Sequence, residues 1–230
     1  MSLTKATGNM YEWISHMWPI LYGQCPHRCD YCYVKSGRVA HLYRGPVRLS
    51  DRAISQPLGT GRTIFVEHRN DLWAAEVPAD LIKMVLAKCH YWPKNQYVFQ
   101  TKNPARYLDF MDHLPVTALL GCTIETNRAI PRKLSQAPQP WDRYQALMQL
   151  HPDVRRTRLF ITIEPIMDLD TVQMVNWMDL LQPAFINIGA DSKGNHLPEP
   201  PPQIVRILIQ EIQALGISIR EKHNLERILQ

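Results

Sequence analysis

The sequence predicts an α/β fold, a parallel sheet with helices on its outer side. Short apolar runs rich in Val, Ile, Phe and Thr alternate with amphipathic stretches at intervals of roughly twenty to forty residues, the cadence of βαβ crossovers. The runs are apolar at almost every position, as strands covered by helices require. Six such units are present, too few for a complete eight-fold barrel.

Residues 1–18 form a lead-in whose Tyr11, Trp13 and Trp18 supply apolar surface for docking. Pro19 to Gly23 reads as a first strand that ends at a cysteine-bearing loop. Periodicity is poor over residues 34–62, where Gly, Pro, Ser and Arg recur and only a short helix capped by Ser50 is expected; so long a connection is usually functional or mobile. Regular alternation follows. Thr63 to Glu67 is a strand and Ala79 to Cys89 a helix; Gln96 to Lys102 is a strand and Pro104 to Met111 a helix. Val116 to Glu125 is a strand and Trp141 to Leu150 a helix, and Thr157 to Glu164 is a strand stopped by Pro165. A helix over Thr171 to Leu181 precedes the sixth strand, Ala184 to Gly189. The proline run 197–202 leads into a last helix, Gln203 to Leu215, and Ile217 to Ile219 closes the set.

A chain of 230 residues, 45% hydrophobic, can bury a full core, and one domain is expected over 1–230, with residues 203–230 as its C-terminal helix and tail. No cationic segment followed by a sufficient apolar run opens the chain, and no stretch approaches a membrane span. Five cysteines, an odd number, argue against a secreted disulfide framework, so a cytoplasmic protein with no membrane partner is expected.

The net charge of +5 is uneven. Residues 28–69 hold Arg28, Lys35, Arg38, Arg44, Arg48, Arg52, Arg62 and Arg69 against Asp30, Asp51 and Glu67, an excess equal to that of the whole chain. Such a stretch is either the footprint of a polyanionic substrate, nucleic acid first, or an Arg-rich solvated loop.

The cysteines carry the chemistry. Cys25, Cys29 and Cys32 are spaced C-x3-C-x2-C, with Tyr31 and Tyr33 flanking the last. Three thiolates from one loop leave a tetrahedral zinc one ligand short but suit a 4Fe-4S cluster whose fourth iron takes an external ligand. The residues alone leave open a zinc site recruiting His27, a disulfide with one thiol over, and a cluster of structural thiols. Cys89 and Cys122 read as core thiols.

Polar residues interrupt the apolar strands at their C-terminal ends. Residues two apart share a face of a strand, so Gln100 pairs with Lys102, Thr123 with Glu125 and Thr162 with Glu164, while Glu67 ends one strand and Asn187 interrupts another. Several buried polar groups on one face are costly unless partnered. As a set they describe a polar ligand site at the mouth of a barrel, where catalytic residues gather. Each also has a plain reading, as a strand threonine or as a carboxylate paired with a rim arginine. His68 and Arg69, beside the basic loop, are either phosphate contacts or surface residues.

The spacing C-x3-C-x-aromatic-C is the signature of the radical S-adenosylmethionine (radical SAM) superfamily, and the chain resembles a compact member of it. Phe99-Gln100-Thr101-Lys102, Asp71-Leu72-Trp73 and Glu164-Pro165 resemble segments of spore photoproduct lyases and of a phage-encoded, largely uncharacterised subgroup; His68, Arg69 and Asn70 depart from that pattern. The resemblance implies a partial (β/α)6 TIM-like barrel, a 4Fe-4S cluster on Cys25, Cys29 and Cys32, and bound S-adenosylmethionine. Lys102 would hold the methionyl carboxylate, Glu67 would stand near the methionyl amine, and Thr123 and Glu125 would face ribose. Glu164 and Asn187 would lie deeper or nearer substrate, and Gly189 would admit adenine. Tyr31 and Tyr33 would shield the cluster. An external one-electron donor such as flavodoxin or ferredoxin would be a partner.

The implied reaction is cleavage of S-adenosylmethionine to a 5′-deoxyadenosyl radical that takes hydrogen from substrate, with a nucleobase or nucleotide in phage DNA as the expected target, modified, rearranged or repaired. The alternatives are a radical enzyme on a small metabolite or peptide, and a non-catalytic, zinc-stabilised nucleic-acid-binding module.

Overall fold

The computed structural model describes residues 2–36 and 39–230. Contacts divide the chain into two compact units, Met1–Arg28 with Cys32–Leu120, and Cys29–Tyr31 with Gly121–Gln230.

The first unit opens with β1 (Thr4–Lys5), antiparallel to β2 (His16–Trp18). The first parallel strand therefore lies ahead of the expected Pro19–Gly23 run. Pro19 has no N–H to give a ladder, and beyond it β3 (Leu21–Tyr22) turns aside to pair antiparallel with β4 (Arg48–Leu49) in a separate ribbon. Gly23 ends that ribbon at φ +91°, and a Cβ there would stand 2.1 Å from Pro46 O, so only glycine fits. Helix α1 (Asp51–Ser55) is capped by Ser50, whose hydroxyl accepts the Ala53 N–H, as its sequence predicts.

Next come β5 (Thr63–Val66), α2 (Ala79–Tyr91) and β6 (Gln96–Thr101). β2 runs parallel to β5 with His16 opposite Ile64, and β5 parallel to β6 with Thr63 opposite Gln96. The helix expected after β6 is only the short α3 (Ala105–Leu108), followed by a 3-10 turn at Met111–His113. Trp73 anchors this unit's core, meeting Phe99 and Tyr107 edge-on at centroid distances of 5.4 and 4.8 Å.

Strand β7 (Leu119–Thr123) enters the second unit at Gly121. It is followed by α4 (Pro140–Met148), α5 (Pro152–Arg158) and β8 (Leu159–Ile163). Helix α5 takes residues that the sequence reading gave to a loop and to the start of a strand; Pro152 at its first position is preorganised for a helix. Helix α6 (Thr171–Leu181), capped by Asp170, has its expected bounds. β9 (Phe185–Ile188), α7 (Pro202–Ala214), β10 (Ile219–Glu221) and α8 (Glu226–Leu229) complete the chain.

β8 and β9 run parallel with Phe160 opposite Phe185, and β9 and β10 with Ile186 opposite Ile219. Consecutive parallel strands joined through helices bear out the expected α/β class. On α7 the buried residues Val205, Leu208, Ile209 and Ile212 fall at helical spacing. A Cβ on Gly121 would stand 2.2 Å from the Phe160 ring, so the glycine seats the stacked pair Phe160 and Phe185.

Of the basic residues counted between 28 and 69, Arg38 lies outside the described residues. Arg48 packs its guanidinium 5.1 Å from the centroid of the Tyr22 ring, and Arg62 donates to Leu58 O at 2.9 Å. Among the described residues, no helix is long and apolar enough to cross a membrane.

Candidate functional site

Between the first two cysteines the chain makes a tight turn. The Arg28 N–H donates to Cys25 O at 3.1 Å, with Arg28 at φ +46°. A left-handed conformation is uncommon outside glycine and concentrates at functional sites. After Cys32 the chain enters the 3-10 turn Tyr33–Ser36, and the Tyr33 hydroxyl donates to His68 O.

In the first unit the cysteine loop is held through His27. Its Nε2 lies 2.7 Å from Asp71 Oδ2, and both residues are buried. Asp71 also accepts the Thr101 hydroxyl on both oxygens at 2.9 Å, the Lys102 N–H at 2.9 Å and the Trp73 N–H at 2.9 Å. Burial works to raise the Asp71 pKa, but the His27 charge and hydrogen bond, with the two main-chain donors, bring it below the ordinary carboxylate value. One carboxylate thus joins the loop to the C-terminal ends of β5 and β6. His27 tethers the loop in this structure through its Nε2.

Glu67 stands at the end of β5, as expected, at φ +57° and 2% exposed. Its carboxylate, however, is committed to the main chain. One oxygen accepts the Ile20 and Leu21 N–H groups, both at 2.6 Å, and the other accepts those of Arg69 and Asn70 at 3.1 and 3.0 Å. Four donors occupy what a carboxylate offers, so the contact with a methionyl amine expected of Glu67 gives way to a brace between the segment after Pro19 and the loop after β5. Burial leaves its pKa raised despite those donors. Burial, then Arg69, pushes the His68 pKa down to about 3, and its Nε2 accepts Arg69 Nε at 3.1 Å. Lys102 sits half-buried just past β6.

In the second unit Cys29 is buried, with Sγ 3.1 Å from Ser135 Oγ, and the Asp30 N–H donates to Leu134 O at 2.9 Å. The Tyr31 hydroxyl donates to Glu125 Oε1 at 2.6 Å, and Arg143 Nη1 donates to Glu125 Oε2 at 2.7 Å. Arg143 also donates to Thr123 O at 2.9 Å and Pro138 O at 2.7 Å. Glu125, expected at a ribose, is instead fully buried in an ion pair; Thr123 lends its carbonyl to the same arginine. Burial works against the charged guanidinium of Arg143, yet Glu125, with Cys122 and Tyr31, raises its pKa overall.

Glu164, just past β8, accepts Lys222 Nζ at 2.8 Å and Asn224 Nδ2 at 3.2 Å. A Cβ on Gly189 would stand 2.9 Å from Asn224 Oδ1 and 3.0 Å from the Glu164 carboxyl. The close approach that Gly189 allows is therefore to these side chains, where the sequence reading had adenine. Asn187 is buried with Nδ2 3.5 Å from Thr162 Oγ1. Cys89 and Cys122 are fully buried, as core thiols should be, and burial holds the Cys89 pKa well up.

Asp71, Arg143, Ser135, Lys222 and Asn224 were missed by sequence reasoning. Arg143 had a signal: it falls on the helical face of Pro140, Tyr144 and Leu147, all buried, and a cation within an apolar stripe needs a buried partner. Asp71 belonged to a noticed motif whose role the pattern could not give.

None of the five cysteines forms a disulfide. Among the described residues, no group of three or more His, Cys, Asp or Glu side chains stands arranged to hold a metal ion. By chemistry the donor set of Cys25, Cys29 and Cys32 fits an iron–sulfur cluster, being three soft thiols on one loop.

The fold is that of the radical SAM structures. The chain is similar to a spore photoproduct lyase complexed with dinucleoside spore photoproduct, at 12% identity and a TM-score of 0.59, covering 91% of this chain and 64% of that one. It is similar to a radical SAM methyltransferase from Sphaerobacter thermophilus at 11% identity and a TM-score of 0.59, covering 94% and 69%. Streptococcus suis SuiB bound to S-adenosylmethionine aligns at 8% identity and a TM-score of 0.58, covering 89% and 49%. The chain thus spans less than two thirds of the first of these. Within that fold class it belongs to the family described as Protein of unknown function (DUF5131), which matches residues 9–217. No curated protein matches the sequence.

Proposed function

We propose that the chain is a radical SAM enzyme acting on a nucleobase or nucleotide in nucleic acid. The observation that carries the reading is the cysteine loop: three thiols in the superfamily's spacing, on that superfamily's fold, with buried side-chain contacts at His27, Cys29 and Tyr31. Cys25, Cys29 and Cys32 would hold a 4Fe-4S cluster. Such a cluster supplies one-electron reductive cleavage of S-adenosylmethionine to methionine and a 5′-deoxyadenosyl radical, which removes a hydrogen atom from substrate.

The chain's own residues bind and orient. Lys102, past the end of β6, would hold the methionyl carboxylate. His27 with Asp71, and Tyr31 with Glu125 and Arg143, fix the loop that presents the thiols. The nucleic-acid substrate is supported by the likeness to a lyase complexed with a dinucleoside photoproduct and by the basic excess over residues 28–69. A flavodoxin or ferredoxin would deliver the electron.

The test is anaerobic reconstitution with iron and sulfide. Expected are about four irons per chain, their loss in the Cys25→Ala, Cys29→Ala and Cys32→Ala variants, and 5′-deoxyadenosine release stimulated by DNA. A protein that holds one zinc and no iron would overturn the enzyme reading. Release stimulated by peptides or metabolites but not by DNA would overturn the substrate.

A further inference from the structure

In the second unit, the segment between β7 and α4 is folded against the middle cysteine of the loop. The Leu134 and Ser135 N–H groups both donate to Pro131 O, at 2.8 and 3.1 Å. Arg132 Nη1 donates to Gln136 O and Ala137 O, both at 3.1 Å, and Gln136 Nε2 returns to Arg132 O at 2.6 Å. The segment thus carries its own skeleton. It is docked by the Asp30 N–H, which donates to Leu134 O at 2.9 Å, so the main chain by itself sets Ser135 beside Cys29.

Ser135 Oγ stands 3.1 Å from Cys29 Sγ, with the two residues 2% and 8% exposed. The direction of this bond follows from the hydroxyl's other contact. Its oxygen accepts the Ala137 N–H at 3.2 Å, a local turn that serine side chains commonly make. Its single hydrogen is left to give. A metal-bound cysteine is a thiolate, with lone pairs and no hydrogen. With Cys29 ligating iron, the serine is therefore the donor and the sulfur the acceptor.

Cys25 and Cys32 are partly exposed, whereas Cys29 is buried. Solvent reaches the outer two residues; at the middle one the protein supplies the polar surroundings. A hydrogen bond to a cluster sulfur stabilises the reduced, more negative state over the oxidised one, and so raises the reduction potential. Burial away from water strengthens that effect.

We propose that Ser135 sets the reduction potential of the iron–sulfur cluster by donating its hydroxyl hydrogen to Cys29 Sγ. The proposal rests on the cluster reading above and adds to it a residue outside the cysteine loop. The step concerned is transfer of one electron from a flavodoxin or ferredoxin: the donor is oxidised by one electron, the cluster is reduced by one, and the serine keeps its hydrogen throughout. Ser135 is thus a positioning residue that acts through Cys29, and it makes that electron easier to accept.

The test is a redox titration of the anaerobically reconstituted protein without S-adenosylmethionine, followed by electron paramagnetic resonance of the reduced cluster. Ser135→Ala and Ser135→Thr are compared with the parent, with circular dichroism confirming the fold. Ser135→Ala should hold the parent's iron, and its oxidised-to-reduced ratio at a fixed potential should rise about tenfold, a midpoint about 59 mV lower for a one-electron couple. Ser135→Thr keeps the hydroxyl and should restore the parent midpoint. A folded, iron-loaded Ser135→Ala at or above the parent midpoint, or a Ser135→Thr as low as Ser135→Ala, would overturn the proposal. So would a Ser135→Ala protein that folds without iron, since the serine would then serve assembly. Whatever the variants' stability, electron–nuclear double resonance of the reduced parent in D2O should show an exchangeable hydrogen coupled to the cluster, and its absence refutes the bond. A parent that takes up no iron sinks the enzyme reading itself; a parent with about four irons and a midpoint unmoved by Ser135→Ala sinks this inference alone.

Discussion

Replacing Arg143 with leucine isolates the most buried charge interaction of the second unit. Arg143 and Glu125 have side chains 1% and 0% exposed, so solvent does not screen the pair. The substitution removes three hydrogen bonds, to Glu125, Thr123 and Pro138, and leaves a buried carboxylate that still accepts the Tyr31 hydroxyl. Breaking a buried pair from one side costs about 3–5 kcal/mol. For a chain of this length that lowers the melting temperature by roughly 6–20 °C. The deficit should shrink as pH falls, because the stranded carboxylate is relieved by taking a proton. The triple variant Arg143→Leu, Glu125→Leu, Tyr31→Phe removes the charges together and should recover part of the loss. Thermal and denaturant unfolding, followed by circular dichroism across pH, read all three effects. An Arg143→Leu variant within about 1 kcal/mol of the parent, below the low end of that range, would refute the reasoning, as would a triple variant no better than the single.

Three further outcomes follow from the same contacts. The folded Asp71 pKa lies below its unfolded value, so its stabilisation is fully present above about pH 4 and is lost as pH falls through the folded value; Asp71→Asn should flatten the acid limb of the stability curve, and an unchanged limb counts against the tether. Glu67→Gln turns one oxygen into a donor facing main-chain N–H groups, and should cost about 1–3 kcal/mol in denaturant unfolding although it removes a buried charge; a neutral or stabilising result would show that desolvation outweighs the four hydrogen bonds. Gly121→Ala drives a methyl into the Phe160 ring and should cost about 1–3 kcal/mol, with Phe160→Leu in the same chain restoring part of it.

What could be read in advance was what depends on local pattern. The bounds of α6, the Ser50 cap and the strands β5, β6 and β9 follow from periodicity and from capping residues within a few positions. The first strand was misplaced because Pro19 breaks a ladder whose partner, β5, lies more than forty residues away. Helix α5 was missed because its seven residues carry Pro and three arginines and no apolar stripe. At the site, alternation put Glu67, Glu125 and Glu164 at strand ends correctly. It could not say whether their oxygens face a ligand or the protein, because the answer lay in Ile20, Arg143 and Lys222, all distant in sequence. A carboxylate at a strand end is legible as polar and buried; its partner is a tertiary fact.

The clamp on β8 and β9 also sets an order in time. Lys222 and Asn224 follow Glu164 by 58 and 60 residues, and Arg227 follows Glu199 by 28. On a ribosome adding about 5–20 residues each second, Glu164 emerges several seconds before the groups that neutralise and position it. Until then its carboxylate and the loop after β9 lack those ties. Those ties can form only once residues 222 to 227 have emerged. A stall or truncation ahead of residue 222 would leave Glu164 without Lys222 and Asn224.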